Sequence, residues 1–268
     1  MNVTNDPFFQ VPVEKFMTAK GEIDLPLFYY DYGYAHFLFW ADYKKVVPKL
    51  EGTRFAPCRF FNGKAAVLLN FFEYRDSAIG PYNEVGLSIL CHPGSMKKPG
   101  PFLTQLMKDA KKWTMGAYVI DLPVTTEIAN AGGREIWSYP KFVTGIVSNL
   151  RGRAFRGVVE DPDLNEPMVT LEGKMGLLGP GLRMSKASFI SHTTHGGRPL
   201  RTLTDVDAKF KVNLGFSGRL MVNGKSRHRM AKNIVDMGLK DKKPFLALHC
   251  EKARMILHRG VEMDQGWV

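Results

Sequence analysis

Short runs of apolar or alternating residues, separated by turn-forming residues, place the strongest constraint on the fold of this chain. The clearest runs are 65–72, 85–90, 117–120, 142–147, 154–160 and 168–171. Runs of about four to eight residues are typical of strands and too short for most helices. Asn62-Gly63 and Asn223-Gly224 are typical of tight hairpins, which join antiparallel neighbours. The pattern predicts a mainly β (α+β) protein with antiparallel strands.

Helical signals are fewer, and the clearest lies at 102–113. Apolar residues occupy positions 102, 103, 106 and 107, with lysines at 108, 111 and 112, as expected for one amphipathic helix. If the strands close into a barrel, they lose their exposed edges and leave a central cavity for a small ligand.

Length and composition indicate a single domain, 1–268, because 268 residues with 44% hydrophobic side chains can bury a substantial core. The N-terminus lacks the basic and apolar segments of a signal peptide, and no apolar run is long enough to span a bilayer. Cys58, Cys91 and Cys250 are too scattered for a disulfide framework. We therefore expect a soluble cytoplasmic protein with free thiols and no membrane partner.

Lys141 is the residue that most suggests chemistry, because it lies among aromatic side chains in the run 132–142, GGREIWSYPKF. An ordinary lysine has a pKa of about 10.4 and is an ammonium at neutral pH, which cannot attack a carbonyl. Burial can lower a lysine pKa by about 3–5 units and make the amine a nucleophile. The ordinary alternative is a lysine on a solvated strand edge, with its stem on an aromatic neighbour.

The same run resembles the GRE-x-x-x-YPK segment of the acetoacetate decarboxylase family, in which the lysine after Tyr-Pro forms a Schiff base with a keto acid. Two further segments are similar to the family: 45–48 (KVVP) and 80–84 (GPYNE). The resemblance extends over residues 27–150. It implies an antiparallel cone-shaped β-barrel with a few flanking helices, a keto-acid substrate, no cofactor and a homo-oligomer.

Carried over position by position, the resemblance assigns Lys141 as the nucleophile and Glu84 as the carboxylate that orients it and moves protons. Other residues would bind substrate. They are Tyr139 and Met115 as apolar walls, with Asn70 and Tyr29 where the family has a glutamate and an arginine.

Three departures from the family remove charge. Phe142 stands where well-known members carry a second lysine, although adjacent strand residues point to opposite faces, so that lysine need not be the main influence on Lys141. Asn70 and Tyr29 replace charged residues, so Arg59 or Arg75 would have to hold a substrate carboxylate, or the substrate differs from acetoacetate.

Three functions remain open from the sequence. The first is a Schiff-base lyase that decarboxylates a small 3-oxo acid to a ketone and CO2. The second is a Schiff-base aldolase or dehydratase acting on a keto acid such as pyruvate. The third is a non-catalytic barrel that binds a small ligand, since fold alone does not establish activity.

The net charge of +11 raises the question of nucleic-acid binding. The basic residues are dispersed, and the densest group, 225–232, has few aromatic residues for stacking bases. His192 and His195 lack a clustered third ligand for a metal. We expect neither a nucleic-acid partner nor a metal site.

Overall fold

A computed structural model describes residues 6–95, 113–178 and 182–263. Sixteen strands lie within these ranges: β1 Glu14–Thr18, β2 Gly21–Leu25, β3 Leu27–Asp42, β4 Phe55–Pro57, β5 Lys64–Ser77, β6 Tyr82–Pro93, β7 Gly116–Val124, β8 Lys141–Val143, β9 Ile146–Asn149, β10 Ala154–Glu160, β11 Pro167–Leu178, β12 Leu182–His195, β13 Arg198–Phe216, β14 Arg219–Val222, β15 Leu246–Leu257 and β16 Val261–Glu262. The α-helices are α1 Tyr43–Val46, α2 Glu127–Trp137 and α3 Arg229–Asp236, and short 3-10 helices occupy Pro7–Phe9 and Val47–Leu50.

Seven strands form a closed ring in the order β12, β7, β6, β5, β3, β15 and β13, which pairs again with β12. Neighbours in the ring are antiparallel except β7 and β12, which pair in parallel at Ala117↔Ser191 and Tyr118↔His192. The prediction of a mainly β protein with a ring of antiparallel strands is confirmed, and the parallel closure was not predicted. Closure leaves the ring strands without a free edge.

Two hydrophobic clusters lie on opposite faces of the ring strands. The first packs β3, β5 and β6 against β9, β10, β11, β14 and α3, and includes Phe37, Phe71 and Ile234. The second contains residues from six of the ring strands together with β2 and α2, and is rich in tyrosine. This tyrosine-rich cluster is where the candidate site lies.

An irregularity in β3 changes which face its side chains occupy. Pairing with β5 shifts register between Tyr29, Asp31 and Tyr32, so the simple alternation of faces is broken. Tyr29 and Tyr32, three positions apart, therefore both belong to the tyrosine-rich cluster. Further along the strand, Ala35 and Phe37 belong to the first cluster.

The two Asn-Gly pairs lie in tight turns, and Phe60 and Lys64 are hydrogen-bonded across the first, but the predicted pairing of the flanking strands was wrong. β4, which precedes Asn62, pairs with β6, and β14, which precedes Asn223, pairs with β11 and is followed by α3. Each asparagine Oδ1 accepts a hydrogen bond from the backbone N–H two residues later, at 3.0 Å. Such a turn redirects the chain without pairing the flanking strands.

Other sequence predictions need smaller corrections. The run 142–147 is two short strands, β8 and β9. Residues 191–195 belong to β12, and the chain turns at Gly196-Gly197, both with positive φ. The predicted helix at 102–113 lies, except for Trp113, outside the described residues. Among those that are described, no helix is long and apolar enough to cross a membrane.

The first cluster predicts a clear contrast between two phenylalanines. Phe37 is fully buried, whereas Phe61 is 98% exposed. We expect Phe37→Ala to lower the free energy of unfolding by about 3–5 kcal/mol, because it leaves a cavity, and Phe61→Ala to change it by less than about 0.5 kcal/mol. Chemical denaturation of both variants measures this, and equal losses would contradict this packing.

Candidate active site

Lys141 is the first residue of β8, and its amino group is buried against a carboxylate. Its Nζ donates a hydrogen bond to Oε2 of Glu84 at 2.7 Å. The side chains are 6% and 9% exposed, so both charges are shielded from water. Lys141 is therefore buried beside Glu84 and does not lie on a solvated strand edge, while the roles assigned to the two residues stay predictions.

The end of helix α2 directs the chain toward this position. Ser138 caps the helix in the left-handed conformation (φ 51°), and its N–H bonds to the carbonyl of Gly133. Tyr139 N–H bonds to the same carbonyl at 3.0 Å, and β8 begins two residues later. In β8, Lys141 pairs in parallel with Leu122 of β7. The lysine is thus fixed between a helix terminus and a barrel strand.

In the Gly-Arg-Glu triplet at 133–135, Gly133 and Arg134 both lie against Lys141. A Cβ atom at position 133 would lie 2.3 Å from both Cδ and Cε of Lys141, so only glycine allows this close approach. Arg134 Nη1 donates to the backbone carbonyl of Lys141 at 3.0 Å. Glu135, by contrast, accepts bonds from the backbone N–H of Ala19 in the β1–β2 turn. The sequence analysis used the triplet only to recognise the family segment. Its fixed spacing before Lys141 was the signal that could have indicated these contacts.

Glu84 receives a second hydrogen bond from the opposite side. Tyr74 donates its hydroxyl proton to Oε1 of Glu84 at 3.2 Å, while Lys141 occupies Oε2. In the β5–β6 register Phe72 lies opposite Glu84, and Tyr74 lies opposite Tyr82. Tyr74 is therefore a diagonal neighbour of Glu84 on one face of the sheet. Sequence reasoning missed Tyr74, because its approach to Glu84 depends on the register of β5 and β6.

Tyr29 lies in the same cluster and is joined to it by a pair of hydroxyls. The hydroxyls of Tyr29 and Tyr82 lie 2.7 Å apart, and the Tyr29 ring is 4.4 Å from that of Tyr74. Lys141 Nζ lies 5.7 Å from the centre of the Tyr82 ring. Burial raises the pKa of Tyr29, Tyr74 and Tyr82 well above the ordinary phenol value, so all three remain protonated at neutral pH.

Tyr139 belongs to the tyrosine-rich cluster, and Asn70 lies near it on β5. A 2.7 Å hydrogen bond joins the Tyr139 hydroxyl to Ser191 Oγ, and burial raises the Tyr139 pKa to about 12. Asn70 pairs with Gly86, two residues beyond Glu84, and its Oδ1 accepts a bond from His36 Nδ1 at 2.9 Å. Burial lowers the pKa of His36 to about 4, so this imidazole is neutral near pH 7.

The structure does not bring every candidate to the lysine. Met115 is buried but precedes Leu122 by seven strand positions, roughly 20 Å along β7. Arg75 forms a two-bond ion pair with Asp31, and Arg59 lies over the ring of Tyr43. Neither arginine points at Glu84, so the suggestion that one of them holds a substrate carboxylate is not supported by its contacts.

Phe142 lies on the other side of β8 from Lys141, as its place in the strand predicted. It packs beside the first hydrophobic cluster, and its ring lies 4.3 Å from that of His228. A lysine at 142 would therefore point away from the Lys141–Glu84 pair.

A cleft lies against the loop that precedes β8, beside Ser138 and Pro140. Its volume is about 230 Å³, and Lys49 and Asn233 are among its lining residues, whereas Lys141 and Glu84 are not. Below it, the buried carboxylate of Asp121 accepts bonds from Asn233 and from Arg229, which also donates to the Pro140 carbonyl. Through the bond to Pro140, this network stabilises the loop that precedes β8.

The two histidines considered as metal ligands make contacts with different residues. His192 is buried and stacks on Phe55 at 4.5 Å, and burial lowers its pKa to about 3. His195 Nδ1 shares a 2.5 Å hydrogen bond with Ser138. Within the described ranges no three histidine, cysteine or acidic residues come together as a metal site.

The buried phenols predict an unusual alkaline titration. Because the pKa values of Tyr29, Tyr32, Tyr74 and Tyr82 are raised in the folded state, these residues keep protons near pH 11 that the unfolded chain releases. The free energy of unfolding should therefore fall as pH rises above about 10, by about 1.4 kcal/mol per pH unit for each residue.

Absorbance at 295 nm measures this directly. We expect the folded protein at pH 11 to show at least four tyrosines fewer than the nine that titrate after denaturation. A simple titration of all nine near pH 10, with the circular dichroism of the folded state retained, would contradict the burial of these four side chains.

Solved structures with this fold include three that are similar over most of the chain. One is an acetoacetate decarboxylase from Legionella pneumophila subsp. pneumophila str. Philadelphia 1, at 15% identity and a TM-score of 0.62, covering 97% of this chain and 94% of that one. The second is an acetoacetate decarboxylase-like enzyme from Sphingomonas wittichii RW1 (14%, 0.53, covering 89% and 92%). The third is the enduracididine biosynthesis enzyme MppR complexed with pyruvate (12%, 0.56, covering 90% of each chain).

At these identities the likeness establishes the fold. No curated protein matches the chain by sequence. The family model for acetoacetate decarboxylase matches residues 34–199, which is more than half of the chain and includes both Glu84 and Lys141. The chain belongs to the acetoacetate decarboxylase family.

Proposed function

We propose that this protein is a Schiff-base lyase that decarboxylates a small 3-oxo acid to a ketone and CO2. The observation that carries the proposal is the buried Lys141 amine, held 2.7 Å from the carboxylate of Glu84. A lysine in this setting can serve as the nucleophile of covalent catalysis, with the carboxylate as its partner in proton transfer.

The proposed reaction begins when the neutral amine of Lys141 attacks the ketone carbon. Loss of water from the carbinolamine gives an iminium, which withdraws electrons from the neighbouring bonds. The bond to the carboxylate carbon breaks, CO2 leaves, and the bonding electrons form an enamine. Protonation of the enamine at carbon and addition of water to the resulting iminium release the ketone and restore the lysine. No cofactor is needed.

Glu84 would carry the protons in this sequence. It takes one from the ammonium of Lys141, which frees the amine, and returns it to the carbinolamine hydroxyl so that water can leave. Its distance from Lys141 lies within the range for direct proton transfer. Tyr139 and Tyr29 would border the bound substrate, and Asn70 would lie at its edge, as the sequence suggested.

A second candidate function is a Schiff-base aldolase or dehydratase acting on a keto acid such as pyruvate. The fold shared with MppR, solved in complex with pyruvate, favours it. The same lysine and carboxylate would form the same iminium, and only the fate of the enamine would differ. Product analysis after turnover separates the two, since only the lyase releases CO2.

Trapping the iminium tests the lysine chemistry common to both functions. We expect borohydride reduction in the presence of acetoacetate, acetopyruvate or pyruvate to add one reduced substrate to Lys141, located by mass spectrometry and peptide mapping. Lys141→Ala should abolish both the adduct and turnover, because Lys141 is the only buried lysine among the residues whose burial the structure describes.

The alanine variant leaves Glu84 buried without its cation, which can cost about 3–5 kcal/mol of stability. Lys141→Ala combined with Glu84→Gln avoids that charge and serves as the folded control. Turnover retained in Lys141→Ala would contradict the mechanism. A folded wild-type protein that forms no adduct with any of these acids would instead indicate a ligand-binding barrel without lysine chemistry.

Gly133 provides an independent test of the same lysine. Gly133→Ala puts a methyl group where Cδ and Cε of Lys141 now lie, so the amine must move away from Glu84. We expect at least a tenfold loss of adduct formation, since small displacements of a reacting group are costly. Gly132→Ala is the matched control: its methyl group would meet Ile23 instead, and adduct formation should change far less. Equal losses in the two variants would contradict this.

A further inference from the structure

Both carboxylate oxygens of Glu84 are occupied, and only one of them by the nucleophile. Lys141 Nζ lies 2.7 Å from Oε2, and the hydroxyl of Tyr74 lies 3.2 Å from Oε1. Tyr74 is 2% exposed, and its hydroxyl points at a carboxylate that is itself buried. The tyrosine does not contact the lysine through any hydrogen bond of its own.

The contact follows from the register of two neighbouring strands. Phe72 faces Glu84 across the β5–β6 pair, and Tyr74 is the next residue on the same face of β5. The Tyr74 ring packs against four other rings: Tyr29 at 4.4 Å, Tyr82 at 4.6 Å, and Tyr32 and Phe72 at 5.6 Å each. A buried ring with several aromatic neighbours has little rotational freedom, so the hydroxyl is held at one oxygen of Glu84.

We propose that Tyr74 is a positioning residue that acts on Lys141 through Glu84. The inference rests on the lysine chemistry proposed above and adds a residue to it. Tyr74 fixes the rotation of the carboxylate and reserves Oε2 for exchange with the amine.

The number of protons that each group can donate determines which oxygen of Glu84 carries the transferred proton. A phenol has one proton to donate, and Tyr74 donates it to Oε1. When Glu84 takes the proton of the lysine, Oε1 still accepts from Tyr74, so the new proton resides on Oε2, which faces the nitrogen. The proton is then 2.7 Å from the site to which it must return. Without Tyr74 the carboxyl group can rotate or carry its proton on the far oxygen.

The surroundings keep Tyr74 a donor throughout the neutral range. Burial and the nearby Glu84 charge raise the pKa of Tyr74 well above the ordinary value. The groups that face it from the packed strands are Tyr29, Tyr32, Tyr82 and Glu84. The tyrosines among them are themselves neutral phenols, because their pKa values are also raised by burial.

Tyr74→Phe tests the assignment, because it removes the hydroxyl and keeps the ring. We expect the rate of borohydride-trapped adduct formation at Lys141, and kcat with any turned-over acid, to fall about 10- to 100-fold, the range for losing a hydrogen bond to a charged group. KM should change little, since the hydroxyl contacts Glu84 and not the substrate. Acetoacetate and pyruvate are the probes.

Tyr32→Phe is the matched control. Tyr32 is equally buried in the same cluster, with its ring 5.6 Å from that of Tyr74, but has no bond to Glu84. It should leave the adduct rate within about twofold of wild type, as expected for a site that does not share the interaction. Thermal unfolding of both variants shows that each is folded.

A double-mutant cycle separates action through Glu84 from a general effect on the cluster. In a Glu84→Gln background, Tyr74→Phe should change the residual adduct rate by less than about twofold, because the group it positions is gone. The same fold-loss in both backgrounds would overturn the inference, as would a wild-type rate in Tyr74→Phe alone. If wild-type protein itself forms no adduct, the lysine chemistry is wrong and the inference falls with it.

Discussion

The buried ion pair between Lys141 and Glu84 is the interaction on which the rest of the site depends. Two opposite charges with side chains below 10% exposed are stable only when they stay close and keep their hydrogen bonds. Gly133 leaves room for the lysine stem, and the left-handed turn at Ser138 brings β8 into place. The tyrosine-rich cluster then excludes water from both groups. The space at Gly133, the turn at Ser138 and the surrounding tyrosines together allow the Lys141–Glu84 ion pair to be buried.

The side chains around the Lys141–Glu84 pair are neutral phenols and not further ions. Tyr74 donates a hydrogen bond to Glu84, and the hydroxyls of Tyr29 and Tyr82 share one. None of the three adds a charge, since burial holds their pKa values high. These phenols therefore add no charged acid or base beside the hydrogen bond between Lys141 and Glu84. A site arranged in this way favours movement of one proton between two defined atoms, as iminium formation and hydrolysis require.

The sequence was informative where chemistry is local and less so where the chain pairs over long distances. The motif around Lys141 and the segment ending at Glu84 identified both members of the ion pair, and alternation along β8 placed Phe142 on the other face. The role of Tyr74 depends on the β5–β6 register, and closure of the ring depends on a parallel contact between Ser191 and Ala117. Neither strand pairing can be predicted from a short segment of the sequence. The Asn-Gly turns misled for the opposite reason, because their local geometry is correct but does not decide which strands pair.

The site also shows how family membership and reaction outcome can be separated physically. Under the proposed mechanism, formation of the iminium would need only the Lys141 amine and a proton carrier, and Lys141 and Glu84 lie 2.7 Å apart within the residues that match the family. The fate of the iminium depends on where the substrate carboxylate lies relative to the iminium plane, because the breaking bond must overlap with it for CO2 to leave. The Tyr29 and Tyr82 hydroxyls, 2.7 Å apart, form a neutral pair near Lys141 that carries no fixed charge. Under the proposed mechanism, a substrate carboxylate bound at this pair would be oriented by hydrogen-bond direction more than by long-range attraction, and that orientation would select between loss of CO2 and addition to a second carbonyl compound.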